Sequence, residues 1–124
     1  MVLDASALIA LLFKETGFER VAIAADGSCV STVNLAETLT RFVRDGYLVA
    51  TVFENLAIYA IEWVSFDEAQ AVEAAMLLPE TSRAGLSLGD RACLALAIER
   101  GLPVLTADRA WAGLGLLVEV RLIQ

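Results

Sequence analysis

The stretch that decides the fold runs from Leu88 to Asp108 and reads LGDRACLALAIERGLPVLTAD. Its first part, residues 88–100, predicts a helix so apolar that it must lie buried against a sheet. Gly101 ends this helix, and Pro103–Leu105 follows as a short apolar strand. A carboxylate, Asp108, comes shortly after the strand. A buried helix that leads into a short strand is the repeating unit of a parallel α/β domain.

The rest of the chain repeats this alternation of short apolar strands and longer helical segments. Further strands are predicted at Met1–Leu3, Cys29–Thr32, Glu62–Ser65 and near Leu117–Val120. Helical segments are predicted at Ser6–Lys14, Phe18–Ala25, Asn34–Asp45, Leu48–Tyr59, Asp67–Leu78 (ended by Pro79) and Arg109–Ala112, with a polar loop at Glu80–Gly85. Parallel sheets are covered by helices on both faces. Right-handed crossovers place every strand-to-helix turn at one edge of the sheet, where ligands bind.

Length and composition indicate one folded domain. The chain has 124 residues, which fits a single domain spanning residues 1–124. Its residues are 58% hydrophobic and 20% charged, which excludes a disordered or low-complexity chain. Sixteen acidic against nine basic residues give a net charge of −7. A chain with this charge is poorly suited to coat DNA or anionic membranes.

The chain contains no histidine. This excludes Ser-His-Asp and Cys-His catalysis and every histidine-containing zinc site. The two cysteines, Cys29 and Cys93, each lie in an apolar run, and two thiols cannot make a four-thiolate zinc site. We expect buried, reduced thiols; a disulfide between them is the less favoured alternative, because the chain shows no sign of export. Any chemistry must therefore depend on carboxylates, hydroxyls, arginines or a hard cation.

The N-terminal region carries no targeting pattern. Asp4 occupies a position where a signal peptide would carry basic residues. The apolar stretch Ala5–Phe13 is far shorter than the roughly 20 residues needed to span a bilayer. We therefore expect a soluble, cytoplasmic protein.

Four carboxylates fall at or near the predicted ligand-binding edge of the sheet. Asp4 directly follows the first strand, and Asp108 follows the fourth. Glu37 lies in the first turn of the helix predicted after the second strand, and Asp90 lies in the first turn of the buried helix. The topology can bring all four to one pocket.

Each acid taken alone can be explained as a helix cap. Asp4 and Asp108 could cap the helices that follow them, and residues 34–37 and 87–90 both match the capping-box pattern. Together, however, the acids have apolar neighbours, and the only lysine is Lys14 in the first helix. Their charges would be costly without compensation. Oxygen ligands alone suit Mg²⁺ or Mn²⁺, and such a cluster supports metal-assisted attack of water on a phosphodiester.

Four segments resemble, in the same order, the four acidic motifs of PIN-domain nucleases. They are Val2–Leu8, Asn34–Glu37, Leu88–Ala95 and Leu105–Asp108. The resemblance covers essentially the whole chain, whose length is similar to that of the stand-alone toxin ribonucleases of VapBC toxin–antitoxin pairs. It implies a three-layer α/β sandwich around a parallel sheet of order 3-2-1-4-5. It also implies a Mg²⁺- or Mn²⁺-dependent endoribonuclease that cleaves RNA with a metal-activated water, a homodimer, and a small antitoxin that blocks the pocket.

The resemblance also implies roles for single residues. The cation ligands, direct or through water, would be Asp4, Asp90 and Asp108. Glu37 would be the fourth catalytic acid and would hold a second metal or a metal-bound water. Ser6 and Thr106 match small hydroxyl positions and would orient those waters.

Other side chains near these motifs are assigned by simpler arguments. Arg91 and Arg109 adjoin two of the acids and are the candidate contacts to RNA. Three more arginines lie farther away: Arg41, Arg44 and Arg83. Trp63 and Trp111 are predicted to be packing aromatics.

Two other functions are compatible with parts of the pattern. A receiver-type phosphotransfer domain also uses an aspartate at a strand end, but it requires a lysine on a late strand. The only lysine here, Lys14, lies in the first helix, which argues against this function. A non-catalytic interaction module with the same fold is the second alternative. The four intact acids argue against it, and an activity assay decides.

Overall fold

Five short runs of apolar or β-branched residues form the sheet. The computed structural model describes residues 1–124 and contains one five-stranded sheet, parallel throughout, in the order β3-β2-β1-β4-β5. The strands are Val2–Leu3 (β1), Cys29–Ser31 (β2), Glu62–Val64 (β3), Val104–Thr106 (β4) and Val120–Leu122 (β5). The order expected from the sequence motifs is therefore confirmed.

Seven α-helices connect the strands and cover the sheet. They are Ala5–Phe13 (α1), Phe18–Ala25 (α2), Thr32–Arg44 (α3), Val49–Leu56 (α4), Glu68–Met76 (α5), Leu78–Thr81 (α6) and Leu88–Arg100 (α7). Two short 3₁₀ helices lie at Ser82–Ala84 and Arg109–Gly113. None of the helices is both long and apolar enough to cross a membrane.

Alternation along the central strands divides the core into two layers. In β1, Leu3 packs with α1, α2, α3 and α4, whereas Val2 packs with α5 and α7. Val30 and Cys29 of β2 divide in the same way, because successive side chains of a strand point to opposite faces. Helices therefore cover both faces of the sheet, as the three-layer expectation requires.

The buried helix α7 agrees with the sequence expectation at both ends. Ser87 caps its first turn, and Gly101 ends it in the left-handed conformation with φ 63°. All six residues from Ala92 to Ala97 are buried. The helix also packs against α3, so the first turns of both helices lie at the carboxyl edge of the sheet.

The structure corrects three sequence expectations for element boundaries. The helix expected at Asn34 begins at Thr32, because Ser31 accepts a hydrogen bond from Val33 N and caps it. Pro79 does not end a helix but lies in the first turn of α6, where a missing N–H costs nothing. Part of the expected polar loop 80–85 is therefore helical. The last strand is Val120–Leu122, since Val120 pairs with Val104.

Candidate active site

Asp4 lies at the end of β1 and is the N-cap of α1. Its side chain is only 3% exposed. Three donors hold its carboxylate: Ser6 Oγ at 2.7 Å and Ala7 N at 2.8 Å from Oδ1, and Thr106 Oγ1 at 2.6 Å from Oδ2. The capping interpretation of Asp4 is therefore correct, but the cap is buried.

Burial raises the pKa of Asp4 from 3.8 to about 6. The hydrogen bonds from Thr106, Ser6 and Ala7 oppose this change, and the negative charge of Asp90 adds to it. No lysine or arginine forms an ion pair with Asp4. Its charged form is therefore destabilised by desolvation and by a like charge, with no cationic side chain to offset either effect.

Ser6 and Thr106 connect Asp4 to the end of β4. Their hydroxyl oxygens are 3.2 Å apart. Ser6 Oγ accepts a hydrogen bond from Ala107 N at 2.9 Å, and Thr106 Oγ1 accepts one from Asp108 N at 3.1 Å. The two hydroxyls thus fix the Asp4 carboxylate and the turn that carries Asp108. Their orientation of bound water remains a prediction.

Asp90 forms a capping box with Ser87 at the start of α7. Asp90 Oδ2 accepts a hydrogen bond from Ser87 N at 2.9 Å, and Asp90 N donates one to Ser87 Oγ at 3.2 Å. The capping interpretation is correct here too. The side chain is half-buried, and its charge acts on Asp4 across the sheet edge.

Glu37 is one turn farther into its helix than the sequence predicts. Because α3 begins at Thr32, the segment Asn34–Glu37 is not a capping box. Instead, Asn34 is buried and its Nδ2 donates to Glu37 Oε1 at 2.8 Å and to the carbonyl oxygen of Gly89 at 3.0 Å. Glu37 itself is exposed, and its carboxylate lies against Gly89 in the first turn of α7.

Asp108 is exposed and caps the 3₁₀ helix Arg109–Gly113. Its Oδ1 accepts a hydrogen bond from Ala110 N at 2.9 Å. Its backbone joins the hydroxyl network through Thr106, whereas its carboxylate faces the turn that follows. Asp108 is thus connected to Asp4 through its backbone N–H and the Thr106 hydroxyl, not through its carboxylate.

The buried thiol of Cys93 is affected by the charges of three of the four acids. Burial raises the pKa of Cys93 well above its usual range, and the charges of Asp4, Asp90 and Glu37 raise it further. As the side chains are placed, no three acidic or thiol groups surround a common point closely enough to hold a metal ion.

The chemistry of the donor set fits a hard divalent cation. The candidate ligands, which are the four acids and the hydroxyls of Ser6 and Thr106, offer only carboxylate and hydroxyl oxygens, the ligands that Mg²⁺ and Mn²⁺ prefer. Asp90 Oδ1, Asp108 Oδ2 and Glu37 Oε2 accept no hydrogen bond from the protein. Each of these three acids therefore keeps one oxygen for an external partner.

The two arginines proposed to contact substrate differ in their surroundings. Arg109 is exposed beside Asp108. Arg91 is half-buried, and its Nη1 donates to the carbonyl oxygen of Ala74 at 2.9 Å, which packs it against α5. Of the two tryptophans, Trp111 is buried and Trp63 packs edge-on against Phe53. Both indole rings therefore pack within the protein, as predicted.

Comparison with known proteins agrees with this architecture. The model of the PIN domain family matches residues 1–115. Similar solved structures include a toxin–antitoxin complex from Klebsiella pneumoniae, at 19% identity and a TM-score of 0.74 over 95% of this chain and 98% of that one. VapBC2 from Rickettsia felis, bound to a promoter DNA fragment, has 16% identity and a TM-score of 0.73 over 98% and 96%. VapBC-5 from Mycobacterium tuberculosis has 25% identity and a TM-score of 0.62 over 99% and 96%. No curated protein sequence gives a significant match.

Proposed function

Because this chain belongs to the PIN domain family, we propose that it is a Mg²⁺- or Mn²⁺-dependent endoribonuclease, the toxin of a toxin–antitoxin pair. The observation that carries this proposal is Asp4. A carboxylate 3% exposed, with the charge of Asp90 acting on it and no cationic side chain paired with it, is expensive to ionise. Such arrangements are typical of sites that receive a cation or perform chemistry.

The four acids have distinct positions toward that cation. Asp4 is the fixed ligand, because three hydrogen bonds hold its carboxylate. Asp90 and Asp108 can bind directly or through water with the oxygen that capping leaves free, and Glu37 is the fourth acid. A bound Mg²⁺ or Mn²⁺ would supply a Lewis acid that polarises a phosphate and lowers the pKa of its water.

The protein itself would orient water through two hydroxyl groups and contact the RNA through arginine side chains. Ser6 and Thr106 are placed to orient water beside Asp4, and Arg109 is exposed for contact with an RNA phosphate. Arg91 can join it only by leaving the carbonyl of Ala74. With a net charge of −7, binding to RNA should be weak, and selectivity should depend on exposed single-stranded loops.

We also propose a homodimer and a protein antitoxin, acting in the cytoplasm. Two of the similar structures come from toxin–antitoxin systems. Large apolar side chains are exposed on two surfaces, one around α4 and one around α5 and α6. They include Tyr47, Leu48, Val49 and Phe53 on the first, and Val72, Met76 and Leu78 on the second. A strict monomer in sedimentation at micromolar concentration would contradict the dimer.

The activity is tested with the charge-removing variant Asp90→Asn. Asparagine keeps a side-chain oxygen that can accept the hydrogen bond from Ser87 N, so folding should be retained. Cleavage of a single-stranded RNA in Mn²⁺ should fall by about 100-fold or more, because one unit of ligand charge is lost. Asp67→Asn is the control: Asp67 is the N-cap of α5, accepts a hydrogen bond from Gln70 N at 2.9 Å, and lies away from the proposed site.

Three results would overturn the proposal. They are cleavage that persists in chelator, cleavage undiminished by Asp90→Asn, and equal losses in Asp90→Asn and Asp67→Asn. An inactive wild-type chain that still bound an antitoxin would favour the non-catalytic module with the same fold.

A further inference from the structure

Glu37 is held at the carboxyl edge of the sheet by few contacts. It is exposed on α3 and forms no ion pair. Its one hydrogen bond to a side chain comes from Asn34 Nδ2 at 2.8 Å. A free glutamate on a helix surface samples several rotamers, and ordering it carries an entropy cost. Neighbouring residues must therefore restrict this side chain if its carboxylate is to stay at the carboxyl edge of the sheet.

Asn34 is bound more tightly than the glutamate it contacts. It is 1% exposed, and its Nδ2 also donates to the carbonyl oxygen of Gly89 at 3.0 Å, so that one amide joins α3 to the first turn of α7. Its Oδ1 is buried and has no hydrogen-bond partner. An unsatisfied buried acceptor is destabilising, so packing alone does not explain an asparagine here.

Gly89 provides the space that Glu37 occupies. A Cβ atom at this position would overlap all three atoms of the Glu37 carboxylate. The backbone of Gly89 has no positive φ, so its conformation does not require glycine. Glycine inside a helix is normally unfavourable relative to alanine. The absence of a side chain is therefore needed for the carboxylate rather than for the turn.

We propose that Asn34 and Gly89 are positioning residues, which hold the Glu37 carboxylate beside Asp90 at the start of α7. Asn34 donates the hydrogen bond, and Gly89 leaves the space next to the residue that carries the second acid. This inference rests on the proposed function, because it assigns these two residues to the binding of the same cation. Substitution of such supporting residues typically lowers metal affinity by about 10–100-fold.

The test is a double-mutant cycle between Gly89→Ala and Glu37→Ala. The atoms that alanine would overlap are the far end of a flexible side chain, so the protein should fold with the carboxylate displaced. We expect Gly89→Ala to lower Mn²⁺ affinity, measured by calorimetry with the metal alone, by about 10-fold or more. RNA cleavage should fall in parallel. Adding Gly89→Ala to Glu37→Ala should change neither quantity further, because the carboxylate is already absent.

Two further variants separate positioning from general damage. Gly113→Ala is the matched control, since a Cβ there meets nothing within 4 Å and its φ is not positive; it should behave like the wild type. Asn34→Ala should reproduce the loss seen in Gly89→Ala. The proposal is wrong if Gly89→Ala stays within about twofold of the wild type, or if its loss multiplies with that of Glu37→Ala.

The melting temperature keeps this test separate from the proposed function. If the wild-type chain neither binds Mn²⁺ nor cleaves RNA, the nuclease proposal fails, but the steric contact can still be measured. Gly89→Ala should then raise the melting temperature more in the Glu37→Ala background than in the wild type, because only the wild type must move a carboxylate. An equal change in both backgrounds would overturn the positioning role.

Discussion

Charged side chains have opposite surroundings at the two ends of the strands, called here the amino edge and the carboxyl edge. At the amino edge, Glu62 opens β3 and accepts two hydrogen bonds from Arg100 at the end of α7, at 3.0 and 2.9 Å. Both side chains are exposed. At the carboxyl edge, Asp4 is buried beside Asp90 and forms no ion pair. One helix, α7, thus carries Asp90 at the carboxyl edge and Arg100 at the amino edge.

The difference separates structural from functional charges. An exposed ion pair contributes little and costs little. A buried carboxylate without a cation is costly, and natural proteins keep such local violations mainly at functional sites. The pairing state of each acid is therefore more informative than the net charge of −7. Substitutions at the two edges should accordingly have unequal effects.

The largest expected effect is on catalysis. Asp4→Asn should lower the single-turnover rate of RNA cleavage by orders of magnitude, because it removes the fixed ligand of the proposed cation. Glu62→Gln, the same change of charge at the amino edge, should leave the rate unchanged. Comparable losses from both variants would remove the distinction between the edges.

The next effect is the dependence of stability on pH in chelator. Since the pKa of Asp4 is about 6 in the folded chain against an ordinary value of 3.8 for a solvated aspartate, the folded state binds more protons than the unfolded state between these values. The free energy of unfolding contributed by Asp4 is thus fully present below about pH 4 and is lost as pH rises through 6. The loss by pH 7 should be about 3 kcal/mol.

Asp4→Asn isolates this contribution. Subtracting its urea-unfolding curve from that of the wild type, at each pH between 4 and 7, cancels the titration of the other groups. A flat difference would show that Asp4 is not destabilised by burial.

Divalent metal should stabilise the folded protein by a slightly smaller amount, and only through the acids at the carboxyl edge. Mn²⁺ at about 100 times its dissociation constant stabilises a folded protein by about 2.7 kcal/mol, which for a domain of this size is a rise of several degrees in melting temperature. Asp4→Asn should abolish the rise, and Arg100→Ala should keep it. A rise that survives Asp4→Asn would locate the cation elsewhere.

The smallest effect should follow removal of the surface pair. Hydrogen bonding and the charge of Arg100 lower the pKa of Glu62, so the contribution of this pair is present above the unfolded pKa and is lost as pH falls. Arg100→Ala should therefore change the melting temperature only slightly near pH 7, and less still at high salt or low pH. A large change would show that the amino edge is not the solvated region that its exposure indicates.

Local signals made part of this architecture predictable. Ser87 and Gly101 mark both ends of α7, so its bounds follow from the sequence alone. Where such signals are ambiguous, the bounds shift. Ser31 rather than a later residue caps α3, and Val120 forms β5 by pairing with Val104, although the apolar run begins at Leu117.

For the candidate site, the sequence selects residues but not their contacts. Position at or near the predicted strand ends selects the four acids, because the topology can bring them to one edge. The contacts of Asn34 were missed: its spacing from Glu37 matches a capping box, whereas its side chain also donates to the carbonyl oxygen of Gly89, 55 positions away in sequence. Burial of Asn34 could not be read from the sequence, because its face of α3 also carries the polar Thr38. Rotamers and capping bonds of Asp90 and Asp108 depend on tertiary packing, which sequence spacing does not encode.

The thiol of Cys93 is a natural reporter of local opening at the carboxyl edge. It is free and fully buried, and its raised pKa keeps it protonated, whereas alkylating reagents react with the thiolate. In the folded state labelling must therefore wait for α7 to lift from the sheet. The rate at which a reagent modifies Cys93 measures how often that opening occurs. A ligand that ties Asp4, Asp90 and Glu37 together would slow it.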